Sequence, residues 1–127
     1  MISGENQAII DNYVEAYNAF NVEGMVRLLD ADILFKDFSN GEITTETRGI
    51  QEFKELAEKS SQVFSNRRQT ITHYSAVDDR IEIQVDYEAI LAVDLPNGLK
   101  TGDTLQLKGK SVFEIKNGKI ALIEDYG

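Results

Sequence analysis

Cysteine and tryptophan are absent from the sequence, and proline and histidine each occur once. Without cysteine there is no disulfide, no thiol nucleophile and no thiolate metal site, and the redox compartment is left open. A lone histidine, His73, provides no His-x-x-x-His set, and carboxylates alone are too common to define a metal site; neither a metal nor a cofactor is expected. No apolar run approaches the ~18 residues of a membrane span. The opening MISGENQAIIDNY has no basic segment leading into an apolar one, so no signal peptide is expected and a cytoplasmic location is the default. The glycine patterns that cradle nucleotides, GxGxxG and GxxxxGK[ST], are missing, as is a Gly-x-Ser-x-Gly elbow. Cations are in short supply too: 13 Lys and Arg against 22 Asp and Glu leave a formal net charge of -9. Phosphate backbones are repelled by such a chain unless its cations cluster. Its one dense basic spot, Arg67-Arg68, reads as a surface pair at a helix–strand junction. No nucleic-acid partner is expected.

The 127 residues, 42% hydrophobic and 28% charged, suit one globular domain spanning 1–127. Ser3 to about Phe20 reads as a helix, with Ser3 or Asn6 as cap and Ile10, Tyr13, Val14, Tyr17 and Phe20 on one apolar stripe. Asn21 looks like the cap of a short second helix. ADILFKDF alternates as a first strand, SNGEITTETRG is a polar excursion with room for an edge hairpin near 42–47, and Ile50 to about Phe64 is a third helix with Phe53, Leu56 and Ala57 inward. The remainder is sheet. Thr70 to Val77 is rich in β-formers, and Asp78-Asp79 makes a tight turn. Apolar residues then alternate from Ile81 to Leu95, and again from Leu105 to Ile115. Asn117-Gly118 is a strong hairpin signal before the final strand, Lys119 to Tyr126. This order predicts a mostly antiparallel sheet curled around helices, with a cavity at its open end.

Within LFKDF, alternation puts Asp37 on the same face as Ile33 and Phe35. Either Asp37 marks the strand's exit from the core, its oxygens accepting turn amides, or it is held in an apolar pocket, where burial raises a carboxylate's basicity. Tyr13 and Tyr17 lie four residues apart and share a helix face; either hydroxyl can aim at a developing oxyanion or simply complete an amphipathic stripe. Ser111 is a polar residue among Leu107, Phe113 and Ile115, and if buried it needs a partner. His73 shares a strand face with Ile71 and Val77, a pocket-facing parity if those two point inward; the alternative is a place on the outer sheet. Tyr87 lies on the dry side of its strand, lining the cavity or filling it.

Three stretches carry a family resemblance over nearly the whole chain: YVEAYNAFNVEGMVRLLDADILFKDF, RGIQEFKEL and GKSVFEIKNGKIALIEDY. They resemble, in turn, the two opening helices and first strand, the third helix and the closing hairpin of the nuclear transport factor 2-like (NTF2-like) superfamily, in its SnoaL-like and ketosteroid-isomerase-like branch. The resemblance implies an α+β fold in which the curved sheet forms a cone-shaped barrel around the helices. It also implies a homodimer packed through the sheet, for which Ile90, Ala92 and Val112 are the outward apolar residues. In the isomerases a first-helix tyrosine, matched by Tyr13, donates to the oxyanion, and an aspartate ending the first strand, matched by Asp37, takes the proton. A second acid normally stands where this chain has Ser111. Polyketide cyclases of the branch use an acid on the last strand, near Asp125.

The expected occupant is a small, mostly apolar, uncharged or weakly polar molecule. Asp37, Tyr13, Ser111 and His73 are the candidate catalytic residues, and Tyr17, Phe35, Phe53, Tyr87, Phe113 and Asp125 the candidate pocket. Three functions fit: a cofactor-independent isomerase, cyclase or dehydratase with Asp37 as general base; a non-catalytic binding domain for a small apolar ligand; or a dimeric structural module whose cavity has collapsed. The fold is shared by all three and does not choose among them.

Overall fold

The computed structural model describes residues 2–127. Helix α1 (Gly4–Asn18) starts where the Ser3 side chain accepts the Asn6 amide at 3.1 Å, and it buries Ile10, Tyr13, Val14 and Ala16. Phe20 takes a positive φ of 57°, which breaks the helix. Asn21 then caps α2 (Val22–Val26) by accepting the Gly24 amide at 3.0 Å. Strand β1 (Leu29–Ser39) turns at Asn40-Gly41, both at positive φ, into the edge strand β2 (Glu42–Arg48). Gly49, at φ +83°, lets the chain turn directly into α3 (Gly49–Ser61). That helix ends earlier than its apolar spacing predicted, and Phe64 opens the next strand instead.

Strands β3 (Phe64–Val77), β4 (Arg80–Leu91), β5 (Thr104–Lys116) and β6 (Lys119–Tyr126) follow. Along β4 every inward position from Ile81 to Leu91 is buried except the half-buried Tyr87, as alternation predicts. On β5 the same parity overstates burial, since Leu107 is 58% exposed.

The six strands form one mixed sheet in the order β2-β1-β6-β5-β4-β3. Four of the five pairings are antiparallel; β1 and β6 are parallel. The expected cone-shaped barrel is corrected here: the sheet is open, with β2 and β3 as its two edges. The physical reason is the helical layer. α3 packs on β1 and β2, α1 packs on β3, and α2 touches both helices, so the hollow of the curved sheet is covered by helices and not by strands meeting each other. The core lies between helices and sheet, where Ile10, Ile33, Ile83, Ile120 and Ile123 are wholly inaccessible to solvent.

Candidate functional site

A cavity of about 180 Å³ opens between the helices and the sheet. Tyr13 and Tyr17 of α1 and Phe53, Leu56 and Ala57 of α3 form its helical walls, while Phe35, Asp37, Ser111, Phe113 and Asp125 rise from the sheet. The apolar part is built from edge-to-face aromatic pairs, Tyr13 with Phe113 at 5.9 Å between centroids and Phe35 with Phe53 at 5.7 Å, a favoured arrangement of ring quadrupoles.

Strand register creates the polar part. Thr45 of β2, Asp37 of β1, Asp125 of β6 and Ser111 of β5 are consecutive cross-strand partners, so four polar side chains form one row across the sheet. Alternation along β1 thus puts Asp37 where LFKDF suggested, on the face of Ile33 and Phe35. The Asp37 carboxyl is raised above its ordinary range by burial and partly restored by a hydrogen bond from the Phe38 amide. Both readings of that residue therefore meet in one place: it lines the cavity and it accepts a local backbone amide.

Asp125 is the more perturbed of the two. Burial pushes its carboxyl up to about 6, the negative charge of Asp37 adds to the rise, and the Ser111 hydrogen bond opposes it. Ser111 donates from Oγ to Asp125 Oδ1 at 2.6 Å, the length of a charge-assisted bond. Ser111 is itself buried, and the partner it requires is this carboxylate.

The Tyr13 hydroxyl has no hydrogen-bond partner among the described residues. Burial first, and the charge of Asp125 second, raise its pKa well above the ordinary tyrosine value, so it remains a proton donor. Tyr17 instead pairs its hydroxyl with that of Tyr87 at 3.0 Å. Tyr87 stands behind Tyr17 and is not among the cavity-lining residues, so it supports the wall from outside.

Two expectations fail. His73 does not reach the cavity: it is exposed, and its Nδ1 lies 3.1 Å from Thr72 Oγ1. The cause is a bulge. Ile71 pairs with Val85 but His73 pairs with Gln84, so one extra residue reverses the facing of the strand beyond Ile71. Arg67 fails in the opposite direction. Read as surface charge, it is 2% exposed and lines the cavity. Arg67 and Gln69 precede Ile71 at two-residue steps on the inward parity of β3, pairing with Ala89 and Tyr87; that alternation was the signal in the sequence. Asn18 fixes this part of β3 against the end of α1 by accepting the Gln69 amide at 2.7 Å and donating to the Gln69 carbonyl at 3.1 Å.

Among the described residues, no group of three or more His, Cys, Asp or Glu side chains is placed to hold a metal ion, and no helix is long and apolar enough to cross a membrane.

Residues 10–123 match the SnoaL-like domain family. No curated protein matches the chain. Among solved structures, a candidate polyketide cyclase from Xanthomonas campestris pv. campestris superposes with a TM-score of 0.80 at 19% identity, over 97% of this chain and 90% of that one. A Catenulispora acidiphila protein with a ketosteroid isomerase-like fold, solved in complex with trimethylamine, gives 0.77 at 17% identity over 94% and 84%. An LEH-like epoxide hydrolase from M. tuberculosis gives 0.73 at 17% identity over 96% and 81%. At these identities the likeness is one of fold.

Proposed function

The chain belongs to the SnoaL-like domain family, and from that premise we propose that its cavity is the active site of an enzyme that moves a proton beside a carbonyl group of a small, largely apolar substrate, by isomerase, cyclase or lyase chemistry. The observation that carries this reading is the pairing of Asp37 with Asp125 across β1 and β6 at the wall of an aromatic cavity. Two neighbouring, partly buried carboxylates that repel each other exchange protons as a unit and keep a base of raised strength close to neutral pH.

Each residue then has a task. Asp125 is tied to Ser111, so Asp37 is the arm that meets the substrate. It takes a proton from the carbon next to the carbonyl, and the C–H electron pair becomes an enolate. The Tyr13 hydroxyl donates to the enolate oxygen. Returning the proton at another carbon completes an isomerisation. Attack of the enolate carbon on a second carbonyl of the same molecule, with the proton delivered to the new alkoxide, completes a cyclisation. Expulsion of a β-substituent completes an elimination. Ser111 is a positioning residue, holding Asp125 beside Asp37, and His73 takes no part.

The test uses cyclic β,γ-unsaturated ketones in D₂O, with deuterium uptake and double-bond migration followed by NMR. The wild-type protein is expected to accelerate exchange, Asp37→Asn to lower the rate by ~10²–10⁴-fold, and Tyr13→Phe by ~10²–10³-fold. A ketone that binds in the cavity but exchanges no faster than in buffer overturns the catalytic reading and leaves the second one, a binding domain. The Ser111–Asp125 bond favours that alternative, because it satisfies the more perturbed of the two cavity carboxyls without a ligand. The open cavity weighs against a purely structural module with a collapsed pocket.

A further inference from the structure

Among the described residues no anion answers the charge of Arg67. The residue is 2% exposed, yet among the described residues no carboxylate lies within ion-pair distance of it, although Asp37 and Asp125 line the same cavity. Its Nε donates to the Tyr17 carbonyl at 2.9 Å, at the C-terminal end of α1, where the helix dipole favours a cation. The guanidinium carbon stands 3.7 Å from the centroid of the Tyr17 ring and 4.4 Å from that of Phe20, and such faces attract a cation. These contacts hold the group in place without neutralising it. Nη2 is buried with no hydrogen-bond partner, and a buried, unsatisfied charged donor is among the more costly features a fold can carry.

We propose that Arg67 anchors an anionic oxygen group of the cavity's ligand, so that the ligand class is small cyclic carboxylic acids. This inference rests on the reading of the cavity as a ligand site and narrows it. The guanidinium edge is built to meet two coplanar oxygens. Arg67 lines the same cavity as Tyr13, Tyr17 and the acids Asp37 and Asp125, so its wall carries a cationic group and an acidic pair. A bound acid is oriented by that polarity. Its carboxylate turns to Arg67, its ring packs among Tyr13, Phe35, Phe53 and Phe113, and its far carbons turn to the Asp37–Asp125 pair. A cavity of about 150 Å³ suffices for benzene in an apolar protein interior, so one ring fits the 180 Å³ here. The body of the ligand stays apolar; the added feature is a single anionic end.

Benzoate and benzamide share a shape and differ in charge, and they are the probes. Binding is followed at pH 7.5 by NMR titration of wild-type protein and of Arg67→Met, with the Tyr13 ring signals as the local reporter. Benzoate is expected to bind wild-type protein at least tenfold more tightly than benzamide, and Arg67→Met is expected to erase that preference while still binding benzamide. Equal affinities in the wild type, or a benzoate preference that survives Arg67→Met, overturn the proposal. Benzamide bound without benzoate overturns the anion anchor and leaves the cavity as a ligand site. Failure of both probes to move the Tyr13 signals at millimolar concentration removes the ligand site and this inference with it. Should Arg67→Met not fold, the wild-type ratio of the two affinities decides alone.

Discussion

Two neighbouring rows of one sheet follow opposite rules. Phe35, Ile123, Phe113 and Ile81 are consecutive partners across β1, β6, β5 and β4. Two residues along the strands, roughly 7 Å away, stand Asp37, Asp125 and Ser111 with Thr45 at the edge. Both rows face the helices. In the first, Ile123 is inaccessible to solvent and Phe113 almost so, and every side chain is content with dispersion and exclusion of water. In the second, two carboxyls repel each other and both are held above their ordinary pKa range. The difference separates the part of the sheet that holds the fold together from the part where the candidate site costs stability.

Substitutions on β6 break the comparison most directly, because Ile123 and Asp125 are two residues apart on one strand. Ile123→Ala is expected to cost about 3 kcal/mol, the loss of a fully buried aliphatic side chain plus the cavity it leaves, as read by urea denaturation. No measurable loss would mean that the apolar row is not the stabilising one. Asp125→Asn should act with the opposite sign. The fold raises this carboxyl from 3.8 to about 6, so it favours the protonated form; that contribution is complete below about 3.8 and is lost as pH rises through 6. An asparagine does not ionise, and the variant should be about 2 kcal/mol more stable than wild type at pH 8, with the gain largely gone at pH 4. A variant less stable than wild type at pH 8 would show that the Ser111–Asp125 bond outweighs desolvation. The smallest effect belongs to His73→Ala, which should change stability by less than about 0.5 kcal/mol and leave ketone exchange untouched, as its exposure requires. A lost activity there would reopen the question of what the bulged end of β3 does.

Periodicity carried the sequence reading furthest where the chain is regular. Tyr13 and Tyr17 follow from the helical repeat, Asp37 from alternation in ADILFKDF, and the inward side of β4 from its unbroken run of apolar residues. It misled where a local irregularity resets the count. The bulge between Ile71 and His73 has no glycine to announce it, and unbroken alternation from Ile71 puts His73 on the inward side. Arg67 misleads for a different reason: an arginine beside another arginine resembles solvated charge, and only its step-two relation to Ile71 points inward. Neither the parallel pairing of β1 with β6 nor the open edges of the sheet leaves a mark in any single segment, because both depend on which strands become neighbours. The meeting of Asp37 with Asp125 is a product of that pairing; the family resemblance points to each acid separately and not to their meeting.

The place of β6 in the sheet bears on how the chain folds. It is the last strand in sequence, yet it lies between β1 and β5, so until it docks the sheet exists as two unconnected parts, one containing Asp37 and the other Ser111. Closing that gap joins segments nearly ninety residues apart and is slow by its topology. It also forces two like charges together at the moment of closure. Folding should therefore be gated by the ionisation of its own candidate active site: refolding in a stopped-flow instrument should be faster at pH 5 than at pH 8, and Asp125→Asn should remove the difference.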